Sequence, residues 1–174
     1  MLQNTEGVKS KSKYKMIDLE KQKEDNDERS GTIELDDKFI IFKSQGAEIY
    51  KFLLGDIKII GEMTTQADAF ANDWNIIFIG KDGTQYYVPA YANNMDDFLK
   101  ELGTKLNTTI IGSLSWSVDF NSNVIFPENL AGQKLLNFTD DEPKNIWEKF
   151  LKFTGFGKSI KSDLTNEIKS YLNF

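Results

Sequence analysis

The chain has 174 residues, of which 40% are hydrophobic, and thirteen are phenylalanine; that is enough for one ordinary core and argues against wholesale disorder. It contains neither cysteine nor histidine, which excludes a disulfide scaffold, a thiol nucleophile, a thiolate metal site and every imidazole-based couple. Catalysis would fall to carboxylates, lysine, tyrosine or a hard metal held by oxygen, so the expectation is a non-enzyme with no cofactor.

Net charge is −6, unevenly spread. Residues 1–31 hold seven basic and seven acidic side chains, including "KSKSKYK" and "EKQKEDNDERSG". Without a sustained apolar period they read as a charged flexible leader, with a short strand at "YKMIDLE". The first twenty residues lack a continuous apolar segment, and no apolar run of about 18 residues occurs anywhere. Cytoplasmic residence is therefore expected.

Residues 32–142 read as the antiparallel body. In "TIELDDKFIIFK", Ile33 and Leu35 alternate with polar neighbours, Asp36-Asp37 turns, and Phe39 to Phe42 form a dense β-prone run. "AEIYKFLL" and "IKIIGEM", separated by Gly55-Asp56, look like paired strands, and "TTQADAFAND" is loop or short helix. The clearest hairpin is "WNIIFIGKDGTQYYVPAYA": Trp74 to Ile79 is a strand, Lys81-Asp82-Gly83 a tight turn, and Thr84 to Val88 the return. Pro89 places the end of that strand, or an edge position. Tyr86 and Tyr87 fit core and edge packing.

A helix is predicted at 94–107. Asn94 is positioned to cap it, Asp96 and Asp97 occupy its first turn, and Met95, Phe98, Leu99, Leu102 and Leu106 form one apolar stripe. "TTIIGSLSWSVDF", a turn at Asn121-Ser122-Asn123 and "VIFP" read as another hairpin. Residues 143–174 form a predicted helical tail packed on the same domain. Pro143 opens "PKNIWEKFLKF", with Asp140, Asp141 and Glu142 before the positive end of its dipole. The last helix spans "KSDLTNEIKSYLNF", on the repeat Ile160, Leu164, Ile168, Leu172. Between them, Gly157-Lys158-Ser159 is not the end of a phosphate-binding loop, because Lys152 stands where the first glycine is required. That stretch reads as a joint.

The body 32–142 carries eight lysines and seventeen acids, whereas the tail 143–174 carries six lysines and three acids. An acidic body repels nucleic acid and favours a basic protein partner. Asp36, Asp37, Asp96 and Asp97 are the expected contact residues, with Tyr91 at its strand-to-helix junction. As turn and helix-start residues the acid pairs need no metal, and none is expected. Two alternatives exist. Trp147, Phe150, Lys149 and Lys152 could lay the basic, aromatic tail on an anionic membrane surface. The carboxylate clusters could also serve a metal-dependent hydrolase.

The order of several antiparallel strands, a KDG hairpin and the helix 94–107 resembles a bacterial pleckstrin-homology-like domain over about residues 32–107. That resemblance implies a bent antiparallel sheet, a partial barrel closed by a helix. The basic loop that some members use for phosphoinositides reads "LDDK" here. The acidic character, free of histidine and cysteine, is also similar to small bacterial immunity proteins, which meet a basic toxin through an acidic surface. The expectation is an α+β domain, a bent sheet packed by amphipathic helices with a C-terminal helical extension. Its expected function is non-catalytic protein binding, in the manner of an immunity protein.

Overall fold

A computed structural model describes residues 31–64, 73–115, 117, 119–140 and 160–173. The order is β1 (Thr32–Leu35), β2 (Phe39–Ser44), β3 (Ala47–Leu53), β4 (Ile57–Thr64), β5 (Asn75–Gly80), β6 (Gln85–Pro89), α1 (Met95–Leu106), β7 (Asn121–Phe126), β8 (Leu136–Asp140), β9 (Ile160–Leu164) and α2 (Asn166–Leu172). The class is α+β with antiparallel sheets: a three-stranded sheet β1-β2-β3, a four-stranded sheet β6-β5-β4-β7 and a two-stranded sheet β8-β9.

Alternation builds the first sheet. Ile33, Ile40, Phe42, Tyr50 and Phe52 are buried, and the residues between them face outward or sit half-buried. The Asp36-Asp37 turn forms as expected, with the Asp36 carboxylate accepting from the Asp37 N–H at 2.6 Å. The return from β2 to β3 passes through Gln45-Gly46, both at positive φ (50° and 75°), the geometry a two-residue hairpin requires.

The expected pairing of "AEIYKFLL" with "IKIIGEM" does not form. A 3-10 turn at Leu54–Asp56 separates the two strands; β3 pairs with β2, and β4 with β5 and β7. The expected single bent sheet is therefore two sheets, joined at this turn. The physical reason lies in β4 and β5, whose residues are almost all buried. A strand apolar on both faces needs cover on both. One face, through Ile60, Ile76, Phe78 and Val88, packs with the first sheet and α1. The other face, through Ile59, Met63, Ile77 and Ile79, packs with Val124, Leu135, Leu136, Leu164, Ile168 and Leu172. Gly61 lets that second layer close in, since a Cβ there would lie 2.5 Å from Leu135 Cδ2. Each buried isoleucine contributes roughly 1.5–3 kcal/mol, so this doubly covered sheet is the energetic centre of the fold.

The KDG hairpin forms as expected with each strand displaced by one residue, and β6 lies at the sheet edge and ends at Pro89. Helix α1 also matches, burying Met95, Phe98, Leu102 and Gly103. Asn94 holds the N-cap position but makes no side-chain cap; its backbone is left-handed (φ 68°). Asn107 ends the helix, again left-handed (φ 52°), and the Thr108 N–H reaches back to the Gly103 carbonyl at 2.9 Å.

Two further expectations are corrected. Asn121-Ser122-Asn123 is not a turn but the start of β7, paired with β4, so the described residues of "TTIIGSLSWSVDF" form no hairpin with "VIFP". The helix expected over 161–174 is divided: β9 pairs with β8, Leu136 opposite Leu164, and only Asn166–Leu172 is helical. A four-residue spacing satisfies strand period two as well as a helix turn. The Thr165 hydroxyl accepts from the Ile168 N–H at 3.4 Å and marks the junction. Residues 1–30 of the expected leader 1–31, the segment "TQADAFAN" and residues 141–159 lie outside the described residues.

Candidate functional site

Glu62 is a lone carboxylate in an apolar strand, and it is 1% exposed. Residues 60, 62 and 64 share one face of β4, so its side chain enters the layer capped by the segment following α1. There it collects four donors: Trp74 Nε1 at 2.9 Å, the Ser113 N–H at 2.8 Å, the Ser113 hydroxyl at 2.8 Å and the Leu114 N–H at 3.1 Å. An ionised carboxylate is acceptor-only and has room for about four such bonds, so Glu62 is saturated. These bonds also explain why Ser113 and Leu114 need no strand partner: their N–H groups are satisfied by a side chain.

Gly112 lies between the Glu62 bonds and the indole. A Cβ there would be 2.4 Å from Trp74 Cζ2 and 2.8 Å from Glu62 Oε2, so the backbone lies directly against the ring. On its other side Trp74 meets Tyr91 edge to face, with ring centroids 5.9 Å apart and planes at 81°. Tyr91 is 43% exposed and Ile111 71% exposed. Tyr91 and Trp74 thus form an aromatic pair whose indole is held by a buried carboxylate. Glu62, Ile111, Ser113 and Asn123 line part of a shallow cleft of about 250 Å³.

The arrangement holds a shape. The Ser113 hydroxyl donates to Glu62 and accepts from Asn123 Nδ2 at 3.3 Å, and the carboxylate has no spare lone pair for a substrate proton. Among the described residues no group of three or more Asp or Glu converges as a metal site. No described helix is long and apolar enough to cross a membrane.

The expected contact residues lie at the two ends of α1. Asp36 and Asp37 are exposed in the β1–β2 turn, and Lys105, in the last turn of α1, stands 3.9 Å from Asp37. Asp96 and Asp97 occupy the first turn, where Lys100 pairs with Asp97 at 3.3 Å. A 12-residue helix spans about 18 Å, so the acid pairs share one flank without forming one cluster. Tyr91 belongs with Asp96 and Asp97. Trp147, Phe150, Lys149 and Lys152 lie outside the described residues.

Sequence reasoning missed Glu62, Trp74, Ile111 and Gly112. A glutamate inside "IKIIGEM" was a readable signal, since an unpaired charge does not stay in a core; its partners, 51 residues and more away in Ser113 and Leu114, were not readable. No family model matches the chain, and no curated protein or solved structure matches it either.

Proposed function

We propose that this chain is a non-catalytic protein-binding module that meets a basic partner, in the manner of an immunity protein. One observation carries the reading: the exposed Tyr91, packed on the indole that the Glu62 clamp holds, leads directly into the acidic first turn of α1. Rigid aromatic anchors supply most of the energy of protein interfaces, and surrounding carboxylates raise the association rate with a basic partner. Residues 32–107 are taken as a pleckstrin-homology-like partial barrel. The order of a first sheet, then β4 to β6, then a helix against β1 supports this.

The test is affinity capture from native lysate with quantitative mass spectrometry. Wild type is compared with a variant combining Asp36→Asn, Asp37→Asn, Asp96→Asn and Asp97→Asn. Strongly basic proteins should be enriched on wild type, depleted on the variant and released by about 0.5 M salt. A captured set indifferent to both changes would reject the reading. Salt-sensitive flotation with anionic vesicles would replace it with membrane contact through the tail. Thermal stabilisation by Mg²⁺, Mn²⁺ or Ca²⁺ would replace it with metal-dependent hydrolysis.

A further inference from the structure

We infer that the outer edge of β3 takes up an extended segment of a partner protein as an added antiparallel strand, with an acidic side chain of that segment opposite Lys51. The inference goes beyond the acidic-surface reading and does not depend on it. It begins with the main-chain hydrogen bonds of the sheets. The Leu54 N–H donates to the Lys38 carbonyl at 2.8 Å, and Phe52 and Tyr50 lie opposite Ile40 and Phe42. Bonded pairs alternate along an antiparallel ladder, so residues 50, 52 and 54 turn their main-chain groups to β2. Lys51 and Leu53 turn theirs outward. The same alternation, counted from the Gly80 N–H on the Thr84 carbonyl, puts the Tyr87 N–H on the outer edge of β6, where it donates to the Tyr50 phenol. β1 gives its outward Ile33 N–H to the Asn93 carbonyl at 3.2 Å, and β7 bonds Gly132 and Gln133 through Val124. Among the described residues, the main chain of Lys51 and Leu53 has no such partner.

The side chains of this edge describe its occupant. Ile49 is 36% and Leu53 42% exposed, two of the five large hydrophobic residues exposed among the described residues. Lys51 is exposed between them, its ammonium 4.9 Å from the centre of the Phe39 ring. On the neighbouring strand Lys43 pairs with Glu34 at 2.7 Å, whereas Lys51 meets no carboxylate among the described residues. Ile49 is the extra residue of a bulge, without a partner in β2. A bulge and a lysine both guard an edge against indiscriminate pairing, so the open ladder is short and selective. The strand that fits carries a carboxylate opposite Lys51 and apolar side chains two residues to either side, because directly opposed residues share one face. A second copy of this chain does not fit. Antiparallel self-pairing centred here sets Lys51 opposite Ile49, itself or Leu53, and none of these is acidic. Main-chain bonds then supply affinity and the alternate side chains supply selectivity.

The experiment uses the full chain labelled with ¹⁵N and the capped peptide acetyl-Thr-Ile-Thr-Glu-Thr-Ile-Thr-amide. One control peptide has lysine in place of the glutamate, and a second carries a methyl group on the glutamate main-chain nitrogen. In the free chain the Lys51 and Leu53 amides should exchange with solvent quickly and those of Tyr50 and Phe52 slowly. The peptide should shift the Lys51 and Leu53 resonances saturably and slow their exchange. The lysine control should bind at least about fivefold more weakly, and the methylated control, which lacks a ladder donor, about tenfold more weakly. Lys51→Glu changes only an exposed side chain and should reverse the preference between the glutamate and lysine peptides. Equal binding of those two peptides, an unreversed preference in Lys51→Glu, or no saturation up to about 10 mM peptide would each overturn the inference. So would slow exchange at Lys51 and Leu53 before peptide is added, which would mean that a second copy or other residues of this chain already occupy the edge. If the peptide fails while charge-dependent capture survives, only this inference falls. If the edge takes the peptide while capture ignores charge, the acidic-surface reading falls instead.

Discussion

Replacing Glu62 with glutamine keeps the size of the side chain and removes its charge. In wild type the carboxylate accepts from four donors, three of them on the segment after α1 and one on Trp74. A glutamine has one carbonyl oxygen, which can retain about two of these bonds. Its NH₂ would then face donors, because the Ser113 N–H lies within 2.8 and 3.0 Å of both carboxylate oxygens. Hydrogen bonds to a charged group contribute about 1.5–3 kcal/mol each, and a buried unsatisfied donor costs about 1–3 kcal/mol. Allowing for relaxation, Glu62→Gln should cost about 3 kcal/mol, and Glu62→Ala about 4–5 kcal/mol because all four donors lose their partner. The assay is urea denaturation followed by far-UV circular dichroism. With a slope near 2 kcal/mol per molar, the midpoint should fall by about 1.5 M for the glutamine variant. The control is Glu34→Gln, whose partner Lys43 at 2.7 Å is solvent-exposed and whose loss should change stability by less than about 1 kcal/mol. A Glu62→Gln loss below about 0.5 kcal/mol, equal to the control, would refute the clamp.

Gly112→Ala should push the indole aside, lower stability by about 1–3 kcal/mol and shift the Trp74 indole N–H resonance; an unmoved resonance would show that the backbone does not press on the ring. Tyr50 and Tyr86 both have phenol groups raised above the ordinary 10.0, Tyr50 by burial with a Tyr87 backbone hydrogen bond pulling the other way, Tyr86 by burial and then the nearby Asp82 and Asp56. A group raised in the folded state contributes stability that is intact below the unfolded value and lost as pH climbs through the folded one. Tyr50→Phe should accordingly flatten the decline in stability above about pH 10, and an unchanged slope in pH-dependent urea titrations would reject Tyr50 as a contributor. Ile168→Ala opens a cavity at a fully buried site between α2 and the doubly covered sheet. It should cost about 2–5 kcal/mol, so near-neutral melting behaviour would mean that α2 does not seal that face.

The sequence determined those parts of the molecule whose physics is local. One left-handed glycine and a carboxylate that binds its own turn define the KDG hairpin: Asp82 accepts from the Thr84 N–H and hydroxyl, and Gly83 takes φ 76°. Helix α1 was legible because its apolar stripe has the helical period over three turns, which no strand can share. The absence of cysteine and histidine, and the acidic body, also needed no coordinates.

Tertiary structure decided everything that rests on choosing a distant partner. Ile160 and Leu164 fit a strand and a helix equally well until β8 offers a ladder. Asn121-Ser122-Asn123 has turn chemistry, yet the open edge of β4 recruits it as a strand. The site follows the same logic. Tyr91 and the acid pairs could be named from position, but their separation by the length of α1 could not. Nor could the meeting of Glu62, Trp74 and Gly112, since a buried carboxylate announces only that it needs donors, and the fold selects which segment brings them.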